Sequence, residues 1–261
     1  MAYIHIPRRH LLQPQGRVKV ASAWEPRLAS LLYFGYGGQP VDLIDRAANY
    51  VLTGAAITSC RNGLGLKTAI SGMQYAESSG AMANYSGNFT LAMYFDEFGA
   101  TQDANGGMMF AIPAASQYTQ ITSSGQIFFA GQGPYGLPTD PRGTQNTSIV
   151  LRGAGSDPAF FVGRQRSTGA TASIASGSKT VRVGAWSGAG WQFAGTYGSI
   201  AVIKGEISDA EAYELVDSPW LFYSADPVRF YSFPSGAITL TSLTMSNFTS
   251  STARATLSLT R

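Results

Sequence analysis

Between Gly195 and Phe222 the chain spells out a strand, a tight turn, one short capped helix and a proline stop followed by an aromatic anchor. Ser208 is a good N-cap, and Glu211 three positions later completes a capping box, with Asp209 and Glu211 at the positive end of the helix dipole. Ala212, Leu215 and Val216 follow at i, i+3 and i+4, which makes one apolar stripe. Pro219 removes a donor and pushes Ser218 out of the α region, so the helix is predicted to end near Asp217. Trp220, Leu221 and Phe222 then pin the chain back on the body. Upstream, Ser199 to Ile203 is apolar on both faces, as a strand covered on both sides is. Nearly everything before it is strand-and-turn sequence. The expectation is an all-β antiparallel sandwich with one short helix near 208–217.

Composition agrees. At 261 residues the chain buries about three-quarters of its extended surface as a single domain. Its 30 glycines suit many short strands joined by tight turns. Charged residues make up 13%, about half the usual share, which fits either a surface covered by partners or a Ser/Thr/Gly coat. The net charge of +3 comes partly from Arg8, Arg9, Arg17 and Lys19, without the basic, aromatic-studded stripe of a nucleic-acid binder. Nucleic acid is set aside. Cys60 is alone, so no internal disulfide forms, and it reads as a small buried apolar residue. Met1 to His10 lacks a secretory apolar core and no run reaches membrane-spanning length. The Asn-x-Ser/Thr sites at Asn84, Asn88, Asn146 and Asn247 are then compositional, and the expected place of synthesis is a cytoplasm.

Three parts follow one another. Residues 1–16 carry Pro7, Arg8, Arg9, His10 and Pro14 without strand alternation, and read as an extended arm. Residues 17–233 are the sandwich. Its candidate strands are 18–22, 31–34, 66–70, 89–95, 108–112, 126–130, 148–152, 159–163, 180–183 and 199–203. A Gly/Pro-rich stretch, 131–143, reads as a long functional loop. Residues 234–261 hold two alternating runs, around Ile238 and Leu240 and from Ala253 to Leu259, with a turn-like Ser246 to Ser251 between. An isolated hairpin is marginal in water, so this tail is expected to complete a sheet with another chain.

The set Gly198, Ile200, Ile207, Ser208, Asp209, Ala210, Glu211, Leu215, Pro219, Trp220 and Phe222 resembles the C-terminal signature of laminin-G-like domains with the concanavalin A-like jelly roll. The version it resembles is the one common in tailed bacteriophages and prophages. Val41 to Asp45 and Phe89 to Tyr94 are similar to two upstream strands of that family. The resemblance implies a jelly roll over 17–233 but says little about ligand, because the fold hosts many roles.

Polysaccharide hydrolases with this fold place acids in an E-x-D-x-E spacing, so that alternation aims all of them at one face. No such triplet exists here. Asp96 and Glu97 are adjacent and read as a strand-end turn, and Asp42 and Asp45, three apart, point to opposite faces of an extended strand. A non-enzyme is expected. His5 and His10 have no companions at ligand spacing. The resembled superfamily includes calcium binders that use loop carboxylates, which makes Asp103, Asp140 and Asp157 the candidates; otherwise no cofactor is expected. Gly63 to Thr68 lacks the glycine a phosphate loop needs before its lysine and reads as a turn entering a strand. Trp186, Trp191 and Tyr135 are the candidate ligand-binding residues, because aromatic faces stack on sugar rings. Covering a sheet edge or filling the core is the competing role for the tryptophans.

The resemblance implies a non-enzymatic virion structural protein of a tailed bacteriophage, made in the host cytoplasm. A tail fibre, baseplate or tail-tip component comes first, docking other virion subunits through its arm and tail and displaying a lectin-like sandwich to a host-surface glycan or protein. A homo-oligomer is expected, with a trimer favoured. A capsid decoration or head-fibre protein is the second reading, and a carbohydrate-binding module the third.

Overall fold

The computed structural model describes residues 18–36, 38–113, 117–186 and 191–225. The arm expected at 1–16, with its two histidines, and the hairpin expected at 234–261 lie outside the described residues. In chain order the first strands are β1 (Val18–Val20), β2 (Leu28–Tyr33), β3 (Val41–Asp42), β4 (Val51–Thr53), β5 (Ala56–Cys60) and β6 (Gly63–Thr68). Next come β7 (Tyr75–Ala81), β8 (Gly87–Phe98), β9 (Gly107–Ile112), β10 (Gln117–Ile121), β11 (Gln126–Phe129) and β12 (Gln132–Gly136). Then follow β13 (Gln145–Arg152), β14 (Ala159–Val162), β15 (Gln165–Thr168), β16 (Ser173–Ile174), β17 (Lys179–Val183) and β18 (Gly195–Lys204). Helix α1 (Asp209–Asp217) and β19 (Tyr223–Ala225) close the described chain.

These strands build two main layers. A seven-stranded sheet has the order β12-β11-β10-β9-β17-β7-β4. A ten-stranded sheet runs β15-β14-β13-β8-β18-β2-β3, with β16, β5 and β6 attached beside it. The pairings within both are antiparallel. The short β1 pairs with β19 and so joins the two ends of the described chain. This is the expected antiparallel sandwich.

Between the layers lies an aromatic core. Phe95 sits 4.8 Å from Phe98, 5.3 Å from Phe193 and 4.9 Å from Tyr197, ring centre to ring centre, in the edge-on and tilted arrangements that aromatic quadrupoles favour. The ten-stranded sheet is buried on both faces. In β18, Ile200 and Val202 point into the inter-sheet core, while Ala201 and Ile203 belong to a second apolar cluster on the outer side. That second cluster is closed by Ala212, Leu215 and Val216 of α1 and by Trp220, Phe222 and Tyr223 beyond it.

The helix starts and stops where the sequence places it. Ser208 accepts a hydrogen bond from Glu211 N, and Glu211 Oε2 accepts one from Ser208 N at 2.8 Å. Gly198 has a packing reason: a Cβ there lies 2.4 Å from the Tyr94 ring and 3.4 Å from that of Trp220. The exit segment therefore sits tight against β8 and β18. Between it and the sheet is a cavity of about 10 Å³, lined by Tyr94, Ser148, Ser199, Leu215, Pro219 and Phe222, with room for one water molecule.

Several expectations are corrected. The 131–143 stretch is not a loop throughout: β12 occupies its first part as an edge strand paired with β11. Proline is tolerated at a sheet edge, where its missing N–H has no ladder partner to deprive. Asp96 and Glu97 lie within β8 rather than in a turn. Asp96 accepts hydrogen bonds from the backbone N–H groups of Arg61 and Asn62, and so pins the β5–β6 hairpin. Asp42 does not share an extended strand with Asp45. The strand ends at Asp42, whose Oδ1 caps Ile44 N and Asp45 N at 2.9 and 3.0 Å.

Candidate functional site: the aromatic face of the seven-stranded sheet

The second layer is covered differently from the first. Its inner face supplies Phe110, Ile112, Ile121, Ile127, Phe129, Val181 and Val183 to the core. Strand alternation then sends the neighbouring residues outward. Cross-strand register places Glu77 of β7 opposite Arg182 of β17, Arg182 opposite Ala111 of β9, and Ala111 opposite Tyr118 of β10. These four share one outward-facing row. Phe128 of β11 is opposite Gln120 of β10, one step along the same face.

Four half-buried aromatic rings gather on this row. The Tyr118 ring lies 5.4 Å from that of Trp186, 6.3 Å from Trp191 and 6.3 Å from Phe128. Trp186 and Trp191 are 6.4 Å apart with their planes inclined by 33°, so the two indoles form a twisted platform. The described residues at and beside Trp191 are tied down by hydrogen bonds. Met108 N donates to the Trp191 carbonyl at 3.0 Å, Phe193 N to Gly184 O at 2.9 Å, and Gln74 N to the side-chain oxygen of Gln192 at 3.0 Å. Trp191 itself has φ +64°. For a bulky residue that is an outlier, with a cost on the order of 1–3 kcal/mol that surrounding structure must sustain, and such residues cluster at functional sites.

Polar groups adjoin the rings. Arg182 donates through Nε to Glu77 and through Nη1 to the Trp186 carbonyl, and its guanidinium lies 5.0 Å from the centre of the Tyr75 ring. A donor, an acceptor and several aromatic faces thus converge on one patch. Such a patch matches the needs of a ring-shaped, hydroxylated ligand.

Two of the three expected ligand-binding residues, Trp186 and Trp191, are brought together. Tyr135 is not. It stands opposite Ile127 on the inward side of β12 and packs on Phe160 at 5.8 Å, where it closes the margin of the core. Tyr118, Phe128, Arg182 and Glu77 were missed, since only sheet register aligns them with the tryptophans. Tyr118 carries the faint signal of a tyrosine between polar residues in an alternating run.

The expected calcium ligands are engaged separately. Asp103 accepts from Asn105 N at 2.9 Å. Asp140 is gripped by Arg142, whose hydrogen bonds hold its carboxyl below the usual range. Asp157 pairs with Arg166 and Arg152. Among the described residues no three His, Cys, Asp or Glu side chains group together to hold a metal ion.

No family model matches the chain, and no curated protein matches it. Solved structures do resemble it. Domain 4 of AbnA, a GH43 extracellular arabinanase from Geobacillus stearothermophilus solved with arabinotriose, aligns with TM-score 0.54 at 11% identity, over 73% of this chain and 98% of that one. A Trypanosoma rangeli sialidase mutant displaying trans-sialidase activity gives 0.51 at 14% identity, over 78% of this chain. The T. rangeli sialidase in complex with sialic acid gives 0.50 at 15% identity, again over 78% of this chain. The chain spans about a third of the sialidases, 34% of each. These likenesses establish a shared β-sandwich fold.

Proposed function

We propose that this chain is a non-enzymatic saccharide-binding sandwich that uses the outer aromatic face of its seven-stranded sheet. The observation that carries the reading is the convergence of Trp186, Trp191, Tyr118 and Phe128 beside the Arg182–Glu77 pair. Aromatic faces offer sugar C–H surfaces a flat apolar contact, and the adjacent pair offers hydroxyl groups a donor and an acceptor. The arabinotriose held by the arabinanase domain supports this reading by analogy of fold alone. Three carboxylates of the ten-stranded side have structural partners: Asp96 holds a hairpin, Asp42 caps a turn, and Asp209 pairs with Arg152.

For the biological setting, the Gly198 to Phe222 signature supports a laminin-G-like virion protein of a tailed phage. A tail-fibre, baseplate or tail-tip position is preferred to capsid decoration, because a sugar-binding face belongs where the particle meets its host. A glycan array with wild-type protein, Trp186→Ala and Trp191→Ala tests the binding reading. Retained glycans with wild type and their loss in both variants are expected, and silence across the array with folded protein contradicts it. Antibody labelling of particles by electron microscopy tests the setting. Label on the tail is expected; label on the head shell, or on no particle, overturns it.

A further inference from the structure

The saccharide reading has a consequence for ligand class, and it rests on that reading. We propose that Arg182 and Glu77 set which sugars the aromatic face accepts, and that it takes neutral, hydroxyl-rich saccharides in preference to sialylated or uronic ones. An arginine beside a tryptophan platform ordinarily suggests a carboxylate ligand, since the guanidinium fork matches it bidentately. Here the guanidinium already has a carboxylate partner and a carbonyl partner. Arg182 Nε donates to the Glu77 carboxylate, Nη1 donates to the Trp186 carbonyl, and the ring of Tyr75 backs the cation. A second carboxylate meets a neutralised guanidinium and, next to it, the like charge of Glu77. It must displace that residue or suffer its repulsion.

A hydroxyl group meets neither obstacle. The guanidinium has five N–H donors and a carboxylate about four acceptor positions, so the named bonds leave both able to bond further. Register fixes where they stand. Arg182 and Tyr118 flank Ala111 in the same outward row, two strand spacings or about 10 Å apart. Trp186 spans that interval, since its carbonyl holds Arg182 while its ring meets Tyr118. The strand's other cation is engaged away from this pair. Lys179 is buried, with its ammonium turned to the carbonyls of Met82 and Tyr85 at 2.9 and 2.7 Å.

The test titrates wild type and Glu77→Gln with two matched pairs: lactose against 3′-sialyllactose, and cellotriose against trigalacturonate. Wild type is expected to bind a neutral member at least tenfold more tightly than its acidic counterpart. Glu77→Gln, which frees the guanidinium, is expected to narrow or invert that ratio by about tenfold while the protein stays folded by circular dichroism. A wild-type preference for the acidic members overturns the inference and leaves the aromatic site standing. A neutral preference that Glu77→Gln and Arg182→Lys both leave unmoved also overturns it, because the pair then does not set the class. No binding of any of the four probes, with Trp186→Ala indistinguishable from wild type on the glycan array, overturns the saccharide reading itself.

Discussion

The four tryptophans of this chain occupy two environments. Trp24 and Trp220 are buried in the outer cluster of the ten-stranded sheet, Trp24 at 5.0 Å from Phe222 and Trp220 at 5.2 Å from Tyr94. Trp186 and Trp191 are half-buried on the other side of the sandwich. If their role is recognition, shortening them costs little stability. Trp186→Ala is expected to lower stability by about 1 kcal/mol, whereas Phe95→Ala, a core truncation, costs about 3–5 kcal/mol. Trp191→Gly relieves a left-handed backbone and is expected to leave the unfolding midpoint unchanged or raised while removing half the platform. Chemical denaturation checks both, and a loss above about 3 kcal/mol at either position assigns the indoles to packing.

Acid stability divides between two carboxylates of opposite sign. Glu211 is held down to about 2 by the Arg27 side chain and then by Ser208, so its stabilisation is present above the ordinary carboxylate range and is lost as pH falls towards about 2. Asp42 is pushed up by burial, although Ser30 and the N–H groups of Leu31, Ile44 and Asp45 all donate to it. Its contribution is greatest below the ordinary range and declines as pH rises through its raised value. Glu211→Gln is therefore expected to flatten the fall in melting temperature between pH 5 and 3, and Asp42→Asn to steepen it, because a contribution that grows with acid is then missing. Melting curves across this range decide it.

Among the elements, helix α1 was the most legible, because its signals are local: a cap, a stripe and a proline stop fall within twelve residues. Strand β18 was legible for the same reason, being apolar at consecutive positions. Strand β7 was not. Its inward positions include Ala76 and Ser78, too small to mark a buried face. Strand β12 was hidden by glycine and proline, which an edge tolerates and an interior strand does not, and Tyr135 was misplaced with it. The aromatic site was half legible. Two tryptophans close in sequence drew attention, but their partners Tyr118 and Arg182 come from other strands, and no local pattern encodes sheet register. The helix and its exit depend on close approach at Gly198. Gly198→Ala drives a methyl group into the Tyr94 ring and is expected to cost about 1–3 kcal/mol by overpacking. Equal stability of variant and wild type by urea denaturation removes that explanation of the glycine.

As a molecule, the described sandwich has two unlike sides. One sheet is covered on its outer face by the helix and the aromatic exit, whose apolar cluster is rimmed by the Arg152–Asp209 pair and closed by the Tyr223–Ser199 hydrogen bond. The other carries rings, an ion pair and a strained tryptophan on its outer face. The first side explains why the signature around residues 198–222 is about fold, and the second holds the proposed binding face. The chain carries its own controls for this division, since each of its four tryptophans has one indole N–H. Titrating a saccharide retained on the glycan array into 15N-labelled protein, with indole signals assigned by single substitutions, reads all four together. The expected result is saturable movement of the Trp186 and Trp191 signals with those of Trp24 and Trp220 fixed. Movement of Trp24 and Trp220 alone, or of none of the four at saturating sugar, contradicts a binding face on the seven-stranded sheet.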